Sequence, residues 1–240
     1  MQQSTFIEQH GKIQQRQPEF TAVRLRTIAG NLSSDQLRRA AALADKYGRG
    51  HLHITTRQSL EIHWVPTERL EAMLGEAQQQ GLLPAVRGPR VLTVIACPGS
   101  AVCRRGICDS SRLAAQIDEQ LVGSELAAKT KIAVSGCPNA CAKPQINDIG
   151  LHGVITDAAR GYAVYAGGKI GRNPLMGEKI FAVIPEEEAF DYIQAILTVY
   201  SRLSVQGERI GDVLNRVGTA GFRQEINQVL PASAVPACPL

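Results

Sequence analysis

The sequence predicts an α+β chain in two successive units, and three observations carry that expectation. Residues 20–86 read as β-α-β-β-α. Pro84, Gly88 and Pro89 then break the pattern. Beyond the break, short apolar strands run into cysteine loops and are followed by a long amphipathic helix. Alternation of apolar and polar residues marks strands, and recurrence every three or four residues marks helices.

In the first unit, Phe20 to Ile28 alternates apolar residues with Arg24 and Arg26, as a strand does. Ser33, Ser34 and Asp35 supply helix-starting side chains ahead of a stripe at Leu37, Ala40, Ala41 and Ala44. Gly48 and Gly50 end that helix. His51–Thr56 and Leu60–Val65 form a strand pair, with the single Trp64 placed in the core. Pro66 suits the first turn of a helix running to about Gln80. Residues 1–18 are Gln-rich and polar and read as a loose arm.

In the second unit, a strand at 91–96 leads into one cysteine pair and a strand at 131–134 into another. Helices are expected over Cys108–Val122 and Glu186–Leu203, where three glutamates in the first turn suit the helix dipole. A hairpin pairs 149–155 with 162–166, and Gly167-Gly168 turns the chain. Shorter helices follow at 208–217 and 220–229. The tail 231–240 is Pro/Ala-rich and reads as flexible.

Composition narrows the function. Hydrophobic residues make up 44%, enough for a core, and no run of about 18 apolar residues exists to span a membrane. The N-terminal residues lack a secretory signal pattern, so the expected location is cytoplasmic. A net charge of +4, no Lys/Arg run and 5% aromatics argue against a nucleic-acid role. The mild positive excess suits a small anion or an acidic electron donor.

The chemistry sits in four cysteines, Cys97 and Cys103, then Cys137 and Cys141. Five residues separate the first pair, three the second, and 33 lie between the pairs. Four soft thiolates suit an iron–sulfur cluster or zinc. A reducing compartment disfavours a disulfide scaffold, and structural zinc usually takes pairs spaced about two to four residues apart.

The string from Ser135 to Gly153, with Cys137-Pro138-Asn139-Ala140-Cys141 inside it, resembles the cluster motif of siroheme-dependent nitrite and sulfite reductases. The Cys-x5-Cys upstream and Thr55-Thr56-Arg57-Gln58 resemble two further motifs of that family, in the same order. The likeness covers roughly residues 20–218. It implies a ferredoxin-like half domain over 18–86 and an α+β siroheme and 4Fe-4S cluster-binding domain over 89–230. It implies a 4Fe-4S cluster on Cys97, Cys103, Cys137 and Cys141, with Cys141 shared with the siroheme iron. Thr55, Thr56, Arg57 and Gln58 would then bind siroheme, whose eight carboxylates call for cations such as the Arg57 guanidinium.

The same resemblance implies that Arg24, Arg104, Lys129 and Lys131 hold the substrate anion, with Arg105 as the alternative to Arg104. On a strand, Lys129 and Lys131 share a face. His53 and Glu61 depart from the family, which often has Arg and Gln there. Glu61 would repel a carboxylate-rich ligand and is left out of the expected site. Cys108 reads as a buried small residue, Cys238 as a passive thiol, and His63 and His152 as structural.

The implied reaction is six-electron reduction of sulfite to sulfide, with nitrite to ammonia as the alternative. A corrin-pathway hydroxylase shares the family fold. An electron-relay subunit with a cluster but no siroheme is the reading of another class. No dinucleotide-binding glycine motif appears, so electrons come from a separate donor such as a ferredoxin or a partner reductase. Large family members carry two copies of this arrangement and this chain one, which leads to the expectation of a homodimer whose protomers share substrate residues and cofactor.

Overall fold

Ser33 starts the first helix of the computed structural model by a reciprocal cap. Its hydroxyl accepts from the Gln36 N–H at 3.1 Å, and its own N–H donates to Gln36 Oε1 at 2.9 Å. The structure describes residues 11–157 and 159–231, and these fall into two compact units that meet in sequence at Arg87 and Gly88.

In the first unit, strands β1 (Lys12–Gln14), β2 (Phe20–Leu25), β3 (Leu52–Ile54) and β4 (Leu60–Pro66) form an antiparallel sheet in the order β1-β2-β4-β3. Helices α1 (Ser34–Tyr47) and α2 (Leu70–Gln79) cover one face. Val23, Leu25, Leu60, Ile62 and Val65 from the sheet meet Ala40, Leu43, Ala44, Met73 and Leu74 from the helices. Alternation turns Arg24, Glu61 and His63 to the opposite face.

Several expectations need correction here. β1 lies inside the stretch read as a loose arm. It is a short polar edge strand, and Lys12, Ile13 and Gln14 pair with Val23, Ala22 and Thr21. Such edges carry little apolar signal. The α1 stripe is rotated from the expected one, because Leu37 is exposed and Leu43 and Tyr47 are buried. β3 ends at Ile54, so Thr55 and Thr56 lie beyond the strand. Trp64 is half-buried rather than core and sits at φ 57°, off the alternation of its neighbours.

The second unit holds a five-stranded mixed sheet in the order β5-β6-β7-β8-β9. β5 (Ile95–Ala96), β6 (Ile132–Ser135) and β7 (Ile149–Ile155) run parallel, then β8 (Arg160–Ala166) and β9 (Glu178–Pro185) turn antiparallel. Helices α3 (Ser110–Gln120), α4 (Ala189–Leu203), α5 (Ile210–Val217) and α6 (Thr219–Val229) complete it. α3 starts after Cys108, because Asp109 caps it by accepting from the Arg112 N–H at 3.0 Å. α4 starts after the three glutamates. Glu186 instead accepts from the Asp109 N–H at 2.7 Å and ties the start of α4 to that of α3. β5 is shorter than the strand expected at 91–96; Val91 is joined to Thr130 by a single bridge. β9 was not expected at all. Cys238 and nearly all of the tail lie outside the described residues.

Candidate functional site

The cysteine loops leave the C-terminal ends of two adjacent parallel strands. Ala96 pairs with Val134, so Cys97 and Cys137 follow side by side on neighbouring strands. The Cys97 N–H donates to Val134 O at 3.1 Å, and the Gly136 N–H donates to Cys97 Sγ at 3.1 Å. Ser110 Oγ lies 3.3 Å from the same sulfur and donates to Cys97 O. Gly136 O accepts from the Ile107 and Cys108 N–H groups at 2.7 and 3.0 Å. The loops are therefore joined backbone to backbone. A Cβ on Gly136 would stand 2.7 Å from Cys108 O and 2.9 Å from Gly99 Cα, so only glycine permits this approach.

The second loop is strained. Ala140 and Lys143 sit at φ 52° and 53°, a region non-glycine residues seldom adopt, and strain of this kind gathers at functional loops. Ser135 Oγ accepts from the Ala142 N–H at 3.0 Å and holds the loop back on its strand. Cys137 is buried and Cys97 half-buried, while Cys103 and Cys141 are exposed. Among the described residues, no three His, Cys, Asp or Glu side chains are gathered at one point in metal-holding geometry. The fold thus brings the loops together without drawing all four sulfurs to a centre.

The donor set fits a 4Fe-4S cluster. It offers four free thiols on two joined loops, and one sulfur already accepts a backbone N–H of the kind that tunes such clusters. Every cysteine among the described residues is free, so the disulfide alternative finds no support in this structure. Cys108 is fully buried, and burial followed by the Glu186 charge pushes its thiol up to about 12, leaving it an unreactive core group.

β6 starts at Ile132, so Lys129 and Lys131 lie ahead of the strand on which they were expected; Lys129 is exposed, Thr130 buried and Lys131 half-buried. The Lys131 N–H donates to Asp148 Oδ2 at 2.8 Å. Asp148 is buried and accepts from Arg209 Nε at 2.9 Å and Nη2 at 2.5 Å. This bidentate pair anchors the lysine segment, and sequence reading missed it because its partners lie 61 residues apart. Arg104 and Arg105 are both exposed beside Cys103.

His152 is also better placed than sequence reading implied. It pairs with Ser135 across the parallel ladder, stacks on Tyr165 and lies 3.1 Å from its hydroxyl. Burial, with the Lys179 charge acting the same way, pushes its imidazole below the ordinary value.

In the first unit, Thr55 to Gln58 forms the tight turn between β3 and β4. Thr55 Oγ1 accepts from the Arg57 and Ser59 N–H groups at 3.2 and 3.1 Å, and Gln58 sits at φ 61°. The Thr55 oxygen thus shapes the turn, whereas Thr56 is exposed and Arg57 half-buried. Thr27 Oγ1 donates to Gln58 O, and the Gln58 amide lies against Gly30. The turn is so joined to the Ile28–Asn31 turn, whose Ala29 and Gly30 both have positive φ. Beside it, Arg26, Thr27, Asn31, Ser33, Gln36 and Leu83 line a cavity of about 400 Å³. These turns supply cations and donors of the kind a carboxylate-rich tetrapyrrole needs.

Arg24 is held by Glu61. Its Nε and Nη2 lie 2.7 and 2.6 Å from Glu61 Oε1, while His63 Nε2 lies 3.0 Å from Oε2. Burial alone would raise the Glu61 carboxyl, but the hydrogen bonds with His63 and Arg24 outweigh it and hold it below the usual carboxylate value. Glu61 is therefore ionised at neutral pH and paired to the arginine read as a substrate ligand.

Comparison with known proteins agrees with this construction. Residues 87–233 match the family described as "Nitrite and sulphite reductase 4Fe-4S domain", and residues 13–80 match "Nitrite/Sulfite reductase ferredoxin-like half domain". An assimilatory-type sulfite reductase of Nitratidesulfovibrio vulgaris is 30% identical over 91% of this chain and 98% of its own length. A coenzyme F420-dependent sulfite reductase of Methanocaldococcus jannaschii is 26% identical over 92% of the chain, which spans only 44% of that protein. The structure of Mycobacterium tuberculosis NirA superposes with a TM-score of 0.77 at 22% identity, covering 87% of this chain and 40% of that one, a likeness of fold. With a ferredoxin-like half domain followed by a 4Fe-4S domain, this chain belongs to the nitrite and sulfite reductase family of oxidoreductases, whose cofactors are siroheme and a 4Fe-4S cluster.

Proposed function

We propose that the protein reduces sulfite to sulfide in a six-electron reaction, with nitrite as the second reading. The observation that carries it is the joining of two cysteine loops at adjacent parallel strand ends, with Gly136 N–H directed at Cys97 Sγ. Cys97, Cys103, Cys137 and Cys141 would hold the cluster, with Cys141 the residue that would be shared with the siroheme. Thr56, Arg57 and Gln58, with the Thr55 turn, bind the tetrapyrrole. Bound together, the two cofactors supply electrons to an anion at the iron. Sulfite is favoured because the relative that matches this chain over nearly its whole length is named a sulfite reductase.

In this reading Arg24, Arg104, Lys129 and Lys131 hold the oxyanion, and the two lysines deliver protons as charge develops on it. Lys129 and Lys131 lie just ahead of β6, and Asp148 anchors the Lys131 N–H. The donor is a separate protein of the ferredoxin or partner-reductase kind. Among the described residues, no helix is long and apolar enough to cross a membrane.

The test is anaerobic purification, an optical spectrum, iron and acid-labile sulfide analysis, and turnover of sulfite and nitrite with reduced methyl viologen. Soret and red bands with sulfite turnover support the proposal. Broad cluster absorption alone leaves a relay subunit, and zinc without colour removes the enzyme. Within the active protein, the Lys129→Gln/Lys131→Gln variant is expected to lose about 10²–10⁴-fold in kcat/KM, the range for a lost proton-transfer group. Unchanged kcat/KM would remove both lysines from the site.

The shared-site homodimer belongs to the same proposal. Mixing a Cys137→Ser chain with the double-lysine variant is expected to restore part of the activity that each lacks. No recovery in a verified mixed dimer places each site within one chain.

A further inference from the structure

Glu61 takes the Nε–Nη2 edge of Arg24, leaving the Nη1 side with no hydrogen bond to a described residue. The Glu61 side chain is 11% exposed, whereas that of Arg24 keeps 32%. His63 from β4 takes the second carboxylate oxygen. His53 from β3, the register partner of Glu61, tilts against His63 at 5.5 Å, and Trp64 stands edge-on to His63 at 5.4 Å with Arg49 beyond it. The Arg24 and Glu61 charges cancel.

We propose that Glu61 is a specificity-determining residue that sets how strongly Arg24 favours a doubly charged oxyanion over a singly charged one. The inference rests on the reading of Arg24 as a substrate ligand. The argument is electrostatic. An anion on the far edge of a guanidinium stands about 7 Å from a carboxylate on the near edge. Repulsion at that distance scales with the charge of the anion. Sulfite carries up to two charges near neutrality and nitrite one, so Glu61 penalises sulfite dianion twice as much in logarithmic terms. At an effective dielectric of about 40–80, suited to a partly exposed pair, the penalty is about 3–8-fold for a monoanion and about 10–60-fold for a dianion. Glu61 therefore levels the two anions, and a neutral residue there tilts the site toward the dianion.

Glu61→Gln keeps the shape and an acceptor for Arg24 while removing the charge. Sulfate and nitrate serve as unreactive probes of fixed charge, titrated into the purified chain and followed by the Arg24 Nε–H resonance. In the variant the sulfate Kd is expected to fall about 10–60-fold and the nitrate Kd about 3–8-fold. In the loaded enzyme, the KM for sulfite at alkaline pH falls more than that for nitrite, while the two kcat values move together.

Equal shifts for the two anions, or none, overturn the inference. Glu61→Asp keeps the charge and is expected to hold the sulfate-to-nitrate ratio within about twofold; a ratio that moves as in Glu61→Gln overturns it as well. Arg24→Gln separates the layers. If it weakens both anions while Glu61→Gln leaves their ratio unmoved, the role of Glu61 alone falls. If it changes neither, the placement of Arg24 falls and takes the inference with it.

Discussion

A Cys137→Ser protein is expected to purify without acid-labile sulfide and to lose sulfite turnover by more than about a hundredfold. Groups that merely support a metal ligand cost about 10–100-fold when removed, and a ligand itself costs more. Cys137 is the most deeply placed of the four. It is buried, and it directly follows Gly136, the residue that bonds to Cys97 Sγ, Ile107 and Cys108. A hydroxyl in its place is a hard, protonated donor and a poor match for iron–sulfide chemistry. Because the loop is held by backbone contacts, the variant is expected to keep its fold by circular dichroism. Iron and sulfide contents at the wild-type level would remove Cys137 from the ligand set.

Asp148→Ala is expected to destabilise the protein by about 3–5 kcal/mol, since it takes the buried counter-charge away from the half-buried Arg209 guanidinium. For a domain of this size that corresponds to a melting temperature lower by about 6–20 °C. The structural reason is specific. Asp148 is 1% exposed and accepts two bonds from Arg209 and one from the Lys131 N–H. Removing both charges at once, as in Asp148→Leu/Arg209→Met, is expected to recover more than half of the loss, because an apolar pair leaves no stranded ion. Thermal unfolding of the two variants beside the parent protein measures both effects. Equal losses in the single and double variants would show that the Lys131 tether, and not the stranded charge, dominates.

The contrast between the two residues explains what could be read in advance. The cysteine spacing, the hairpin strands and the helix start at Ser33–Asp35 are local patterns, and the chain states each of them in one short stretch. The α1 stripe was misphased because alanines occur on both of its faces, so Leu37 looked as good an anchor as Leu43. β9 went unseen because its register shifts twice against β8 and its burial does not alternate cleanly. The Arg209–Asp148 and Arg24–Glu61 pairs join residues remote in sequence: the start of α5 meets the residue before β7 in the first, and the β2–β4 register sets the second. Glu61 was set aside as a repulsive neighbour, and in the fold it is paired with Arg24.

The parallel alignment of β5 with β6 has a consequence for how the protein is made. Parallel neighbours need a crossover, here the segment containing α3, and such distant pairings form late compared with hairpins. If the four cysteines hold the cluster as proposed, a growing polypeptide displays its sulfurs as two separate couples until that crossover docks. Assembly of the cube would then have to wait until the chain has been made as far as Cys141, and any agent that slows closure of the crossover would lengthen the time during which bare thiols meet oxygen.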